Sequence, residues 1–158
     1  MAAGPFEGFA ELRGPLDLLK KLEHDFKRLD ASPANHYAAF DFFSTAEHLV
    51  DWLHPGKENK DFRKQLRNSS SILRVVSHVA NGSKHFRADA PHHKSVESVG
   101  YDGYVEPGYV EDGYCEAHLL ITLTEKEQTD IGMQTIDALE LARRTLQSWR
   151  EKLGIGSA

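Results

Sequence analysis

Leu12, Leu16, Leu19, Leu22, Phe26 and Leu29 recur at steps of three and four residues. The same rhythm returns over Tyr37–Leu53, Ile72–Val79 and Leu139–Leu153. That spacing gathers apolar side chains on one side of an α-helix. It fails between residues 87 and 124, where Pro91, four glycines and β-forming residues take over. A chain of 158 residues, 40% of them hydrophobic, fits one domain with a sizeable core. The pattern predicts a mainly α fold over 1–158. Its form is a four-helix up-and-down bundle with a β-ribbon insertion between helices 3 and 4.

Local signals set the expected boundaries. Residues 1–14 hold three glycines and a proline and read as a loose N-terminal arm. The first helix is expected over Pro15–Leu29, with Pro15 in its first turn. Ser32 and Pro33 suit the N-cap and first turn of a second helix, stopped by His54-Pro55-Gly56. The third helical region starts near Lys60 and runs to Ala80 or beyond. Ser69-Ser70-Ser71 can divide it, because serines compete for backbone partners, and Asn81-Gly82 can cap it. Within 87–124, Ala117–Thr122 reads as a strand, with Ser95–Val99 as its antiparallel mate. The last helix is expected from about Asp130 to Leu153. Leu19, Phe26, Phe43, Leu49, Val75, Val79, Leu146 and Trp149 are the expected core, with Trp52 in it or beside it.

Charge is uneven. The net charge of −5 excludes a generally basic nucleic-acid binder. Residues 57–94, however, carry nine lysines and arginines against three acids, or +6, so the remainder carries −11. Such a segment can attract an anion, or be neutralised by the acids that follow at Glu97, Asp102, Glu106, Glu111, Asp112 and Glu116. On the third helix the charge becomes a pattern. Arg67, Arg74, His78, Asn81 and His85 form a polar stripe roughly opposite Ile72, Val75, Val76, Val79 and Phe86. With Lys84, these are the candidate ligand-binding residues. Arginine holds phosphate through charge-assisted bonds, and histidine moves protons near neutral pH. His78, His85 and Arg74 are accordingly the candidates for catalysis, by metal-independent RNA cleavage. Lying opposite the apolar face, the stripe is expected to meet solvent, a ligand or another chain.

The segment ANGSKHF, residues 80–86, resembles the Asn-x-x-Lys-His ending found in some members of the HEPN superfamily. FDFFSTAEHLVDWLH, residues 40–54, followed by ANGSKHF, is also similar to a set of uncharacterised bacterial hypothetical proteins. The HEPN resemblance implies an up-and-down helical bundle, often a homodimer, in a superfamily whose members include RNA-cleaving, defence and toxin proteins. It also implies that Arg74, His78, Asn81 and His85 lie at or near a groove shared by two copies. Nuclease members place four to six residues between an arginine and a histidine. Arg74 and His78 have three between them; Arg87 and His92 have four, but Pro91 interrupts. The resemblance therefore implies a binding or regulatory module at least as much as an enzyme.

Other constellations are thinner. His48, Asp51 and His54 sit three apart, but only Asp51-x-x-His54 approximates the paired ligand motif of a bundle metal centre, so no metal or other cofactor is assigned. His92-His93 reads as idle in a loop. Cys115, the single cysteine, and His118 point to opposite faces of a strand, and one cysteine fits a reducing, cytoplasmic setting. No apolar run is long enough for a membrane. Gly-Tyr-Val-Glu-Pro, Gly-Tyr-Val-Glu-Asp and Gly-Tyr-Cys-Glu-Ala repeat over 103–117, and with Tyr101 they offer a tyrosine-lined partner surface at Tyr104, Tyr109 and Tyr114. Three functions stand open: a module holding RNA or nucleotide phosphate on the basic helix, a metal-independent endoribonuclease, and a scaffold acting through the tyrosine ribbon.

Overall fold

The structure, a computed structural model, describes residues 4–101 and 118–156. The whole repeat, residues 103–117, with Tyr104, Tyr109, Tyr114 and Cys115, lies outside them. The chain is mainly helical with a small antiparallel sheet. In order run α1 (Pro15–Ala31), α2 (His36–Leu53), a 3-10 turn (Lys57–Asn59), α3 (Lys60–Asn68), α4 (Ser71–His85), β1 (Val96–Tyr101), β2 (Leu119–Leu123), α5 (Glu125–Ile131), β3 (Thr135–Asp137) and α6 (Ala138–Lys152).

α2 is the central helix. It packs against α1, α4 and α6, and its Phe42, Ala46 and Leu49 are wholly enclosed. Of the expected core, Leu19, Phe43, Leu49, Val75 and Trp149 are buried, while Phe26, Val79, Leu146 and Trp52 pack against that core from its edge. A buried polar link ties α1 to α2: Asp25 accepts hydrogen bonds from Lys21 Nζ and Thr45 Oγ1, each at 2.7 Å.

The helix ends follow local chemistry, in places against expectation. α2 does not start on Ser32-Pro33. Ser32 N–H closes α1 by donating to Leu29 O at 3.1 Å. Asn35 is the cap instead, accepting from the backbone N–H groups of Tyr37 and Ala38 at 2.9 and 3.2 Å. Asn35→Ala is expected to cost about 1 kcal/mol, read as a shift of the urea midpoint without a change of slope. The serine break is present: Ser70 accepts from Leu73 N–H and starts α4. Asn81-Gly82 does not end α4, which continues to His85 and stops at Phe86, with φ of 62°. Phe86 consequently leaves the apolar face and is 99% exposed.

The largest departure is at the C-terminal end. Residues 130–153 are not one helix. α5 closes at Gly132, whose φ of 84° suits a glycine and whose N–H returns to Gln128 O at 2.8 Å. β3 then pairs with β2 through Ile121↔Ile136, and Asp137 caps α6 by accepting from Leu139 N–H at 2.8 Å. The sheet order is β1-β2-β3, antiparallel throughout. The expected ribbon pair is thus present, with an unexpected third strand.

Candidate functional site

α3 carries Lys60, Arg63, Lys64 and Arg67 at helical steps of three, one and three residues, so they share one side. α4 brings Ser77, Asn81 and Lys84 opposite them, because the helix persists through Gly82. Between these helices, α2 and the loop that carries Pro91, His92 and His93 lie two adjoining clefts. The first is about 610 Å³ and includes Glu47, His48, Arg67, Asn81, Lys84 and His92. The second is about 660 Å³ and includes Lys60, Lys64, Arg67, Arg74, His92 and His93. Asp51, Arg67, Ser77 and His92 belong to both, so the two form one continuous groove.

Two arginines of the stripe face carboxylates of the same chain. Arg67 Nε donates to Glu47 Oε1 at 2.8 Å, Arg67 Nη2 lies 2.6 Å from the same oxygen, and Ser77 Oγ adds a bond at 3.3 Å. Burial raises the Glu47 carboxyl above its ordinary value despite the charge of Arg67. Arg74 makes a two-pronged contact with Glu127, Nε to Oε1 at 2.8 Å and Nη2 to Oε2 at 3.0 Å, while its Nη1 donates to Asn68 O at 2.8 Å. Ser95 Oγ also donates to Glu127 Oε1, at 3.0 Å. Burial acts to raise the Glu127 carboxyl, but the hydrogen bonds and charge of Arg74 together with Ser95 outweigh it and hold it below the usual range.

The rest of the stripe divides. His78 Nδ1 accepts from the backbone N–H groups of Ser95 and Val96 at 3.2 and 3.0 Å, fixing the start of β1 to α4. His93 stacks on the His78 ring, centroids 5.1 Å apart, and His92 sits 4.1 Å from His93. Burial and the neighbouring His92 lower His78, and burial and the surrounding cations push His93 down to about 4. Asn81 Nδ2 is satisfied by Ser77 O at 2.8 Å. Lys84 and His85 are exposed in the last turn of α4. Arg74 lines the basic groove and His78 an apolar cleft on the other flank of α4, and His85 lines neither of the two.

No family model, curated protein or solved structure matches this chain.

What the groove can do follows from which charges remain unspent. Glu47 is partnered by Arg67, and Asp51 lies 3.5 Å from Arg63 and 3.7 Å from Arg67. Lys60, Lys64 and Lys84 form no ion pair among the described residues. They leave the groove with surplus positive charge and exposed ammonium groups, the chemistry that holds phosphate. Phe40, 49% exposed, lies at one end and offers an apolar face. His48, Asp51 and His54 do not converge: Asp51 turns to the arginines and His54 stacks on Phe62 at 5.8 Å. Among the described residues no group of three His, Cys, Asp or Glu is placed to hold a metal. Nor is any helix there long and apolar enough to cross a membrane.

Tyr101, expected at a partner surface, is tied to the start of α2. Its hydroxyl donates to Ala34 O at 2.8 Å, which leaves it to accept from His36 Nδ1 at 2.9 Å. Glu47, Ser77, His93 and Glu127 are functional neighbours that periodicity alone does not single out. Glu47 leaves a trace, an acid four residues after Phe43 and three before Val50, inside the apolar arc of α2. Thr124-Glu125-Lys126-Glu127 has the spacing of a capping box and marks the start of α5, although Glu127 reaches Arg74 rather than its own cap.

Proposed function

We propose that this chain is a cytoplasmic binding module that holds a phosphate-bearing ligand, RNA or a nucleotide, in the groove between α2, α3 and α4. The observation that carries this reading is the unspent charge. The carboxylates of the groove wall stand beside arginines, while Lys60, Lys64 and Lys84 line the groove with His92 and, among the described residues, have no acid on them. The ligand-contacting set is therefore these lysines with Arg67, Asn81 and His92. In this reading α1, α2, α4 and α6 form the up-and-down arrangement of a HEPN-like module, with α3 and the sheet building its groove. RNA cleavage through His78, His85 and Arg74 is the less supported alternative, since Arg74 holds Glu127 and the Nδ1 of His78 holds a strand.

The test is a fluorescence titration of a short labelled single-stranded RNA against wild type and the Lys64→Glu, Lys84→Glu double variant. Both positions are exposed, so folding is expected to be unaffected. At low salt the variant should bind at least tenfold more weakly. Its slope of log affinity against log salt should fall by about 0.7 for each phosphate no longer neutralised. Equal affinity and equal slope would remove the groove as a phosphate site. Wild-type cleavage of the RNA without added metal would favour the enzyme over the module.

A further inference from the structure

β1 is an edge strand, since only β2 adjoins it among the described residues. From Glu97 to Tyr101 its residues are exposed, with Val99 and Tyr101 each 49% accessible. An uncovered edge presents unpaired N–H and C=O groups that template another strand, and proteins commonly block it with proline or lysine. Val96–Tyr101 contains neither. A register irregularity lies between Val96 and Ser98, and beyond it Ser98–Tyr101 pairs regularly with Thr122–Leu119. Beside the strand is an apolar cleft of about 460 Å³, floored by Phe43 and Ile121 and rimmed by Phe40, Phe86 and Val99. Phe86 is 99% exposed and Phe40 49%. Phe86 also has the positive φ of 62° that a bulky residue rarely adopts. Edge and patch are continuous, because Val99 belongs to both.

We propose that a second copy of this chain docks on β1, antiparallel and two-fold symmetric about Val99, so that one sheet runs through both copies. A second copy is the occupant this edge fits, because an antiparallel strand is complementary to itself under a two-fold axis. In such a pair, opposed residues must both turn their N–H and C=O toward the partner, or both away. They therefore differ by an even number of positions, and the axis passes through one residue. Centring on Glu97 opposes two carboxylates, which is unfavourable. Centring on Val99 sets Glu97 against Tyr101, Ser98 against Gly100, and two exposed β-branched valines against each other. The same contact brings the apolar rims at Phe40 and Phe86 toward the junction. It places the two-fold axis on β1 rather than on α4, and it does not depend on the phosphate reading of the groove.

Sedimentation of the full chain over a wide concentration range should give a species of twice the 17.8 kDa chain mass. Val99→Lys should return it to single-chain mass with an unchanged circular dichroism spectrum. A second readout does not rely on that variant folding. In a Cys115→Ala background, Val99→Cys should form a covalent dimer on oxidation, since directly opposed strand residues have Cα atoms about 4.5–5.5 Å apart, within disulfide reach. His85→Cys in the same background should not. Single-chain mass for the wild type at every concentration would overturn the proposal. So would a dimer that survives Val99→Lys, or one that crosslinks through His85→Cys and not through Val99→Cys.

Discussion

Arg74→Ala is expected to destabilise the fold by about 3 kcal/mol, the lower end for removing one partner of a buried ion pair. For a chain of this size that lowers the melting temperature by on the order of 10 °C. The size follows from what is left behind. Glu127 is 0% exposed, and both its oxygens accept from the guanidinium. Without Arg74 the carboxylate loses both charge-assisted bonds and keeps Ser95 Oγ as its side-chain donor, at 3.0 Å. Glu127→Gln should cost less, because it removes the buried charge and leaves Arg74 access to solvent. The Arg74→Met, Glu127→Leu pair should recover most of the loss, as apolar replacement of a whole buried pair commonly does. Urea unfolding of the wild type and these three variants measures all of this. A loss below about 0.5 kcal/mol for Arg74→Ala would match an ordinary surface substitution and show that the pair is not structural. Acid acts in the same direction. Because Glu127 is held below the usual carboxylate range, its contribution is present above that range and disappears as pH falls through its folded value.

Arg74 also shows where a sequence stops being legible. Helical spacing identifies the polar face of α4, since periodicity is local and needs no partner. It does not identify what lies against that face. Glu127 is 53 positions along the chain from Arg74, and Glu47 is 20 from Arg67. A helix flanked by α2, α3, α5 and β1 has no side that a wheel can assign to solvent. The serine break between α3 and α4 is readable because Ser70 acts on a residue three positions away. The stretch 125–137 is not, even though Gly132 and Asp137 are ordinary stop and start signals. β3 has three residues, too few to display alternation, and its pairing with β2 is not written in its own sequence. Lys60 and Lys64 are visible as charge, and become part of a groove only because α4 runs on past Gly82 and brings Lys84 across from them.

Acidification from about pH 6.5 to about pH 4 is expected to unlock the same region through its histidines. His78 and His93 stack at 5.1 Å, with His92 against His93 and with Arg67 and His85 adding positive charge nearby. Both rings are held below the ordinary histidine value of 6.5, His93 down to about 4, with burial as the leading cause. A base with a lowered folded pKa binds more protons when unfolded. Stability is therefore full above the unfolded value and is lost progressively as pH falls toward the folded one. His78 adds a geometric reason: a proton on Nδ1 removes the acceptor that holds the backbone N–H groups of Ser95 and Val96. Glu47 works in the opposite sense, because its raised carboxyl takes up a proton more readily in the folded state. Differences between proteins therefore isolate the histidines better than one profile does. The melting temperature of the wild type should be flat above pH 7 and lower by on the order of 5 °C at pH 5. His93→Phe keeps an aromatic partner for His78 without the charge, and His78→Asn keeps an acceptor near the position of Nδ1. Each should flatten the profile, and the two together should remove most of the slope down to pH 5. A double variant as acid-sensitive as the wild type would locate the sensitivity in the carboxylates instead.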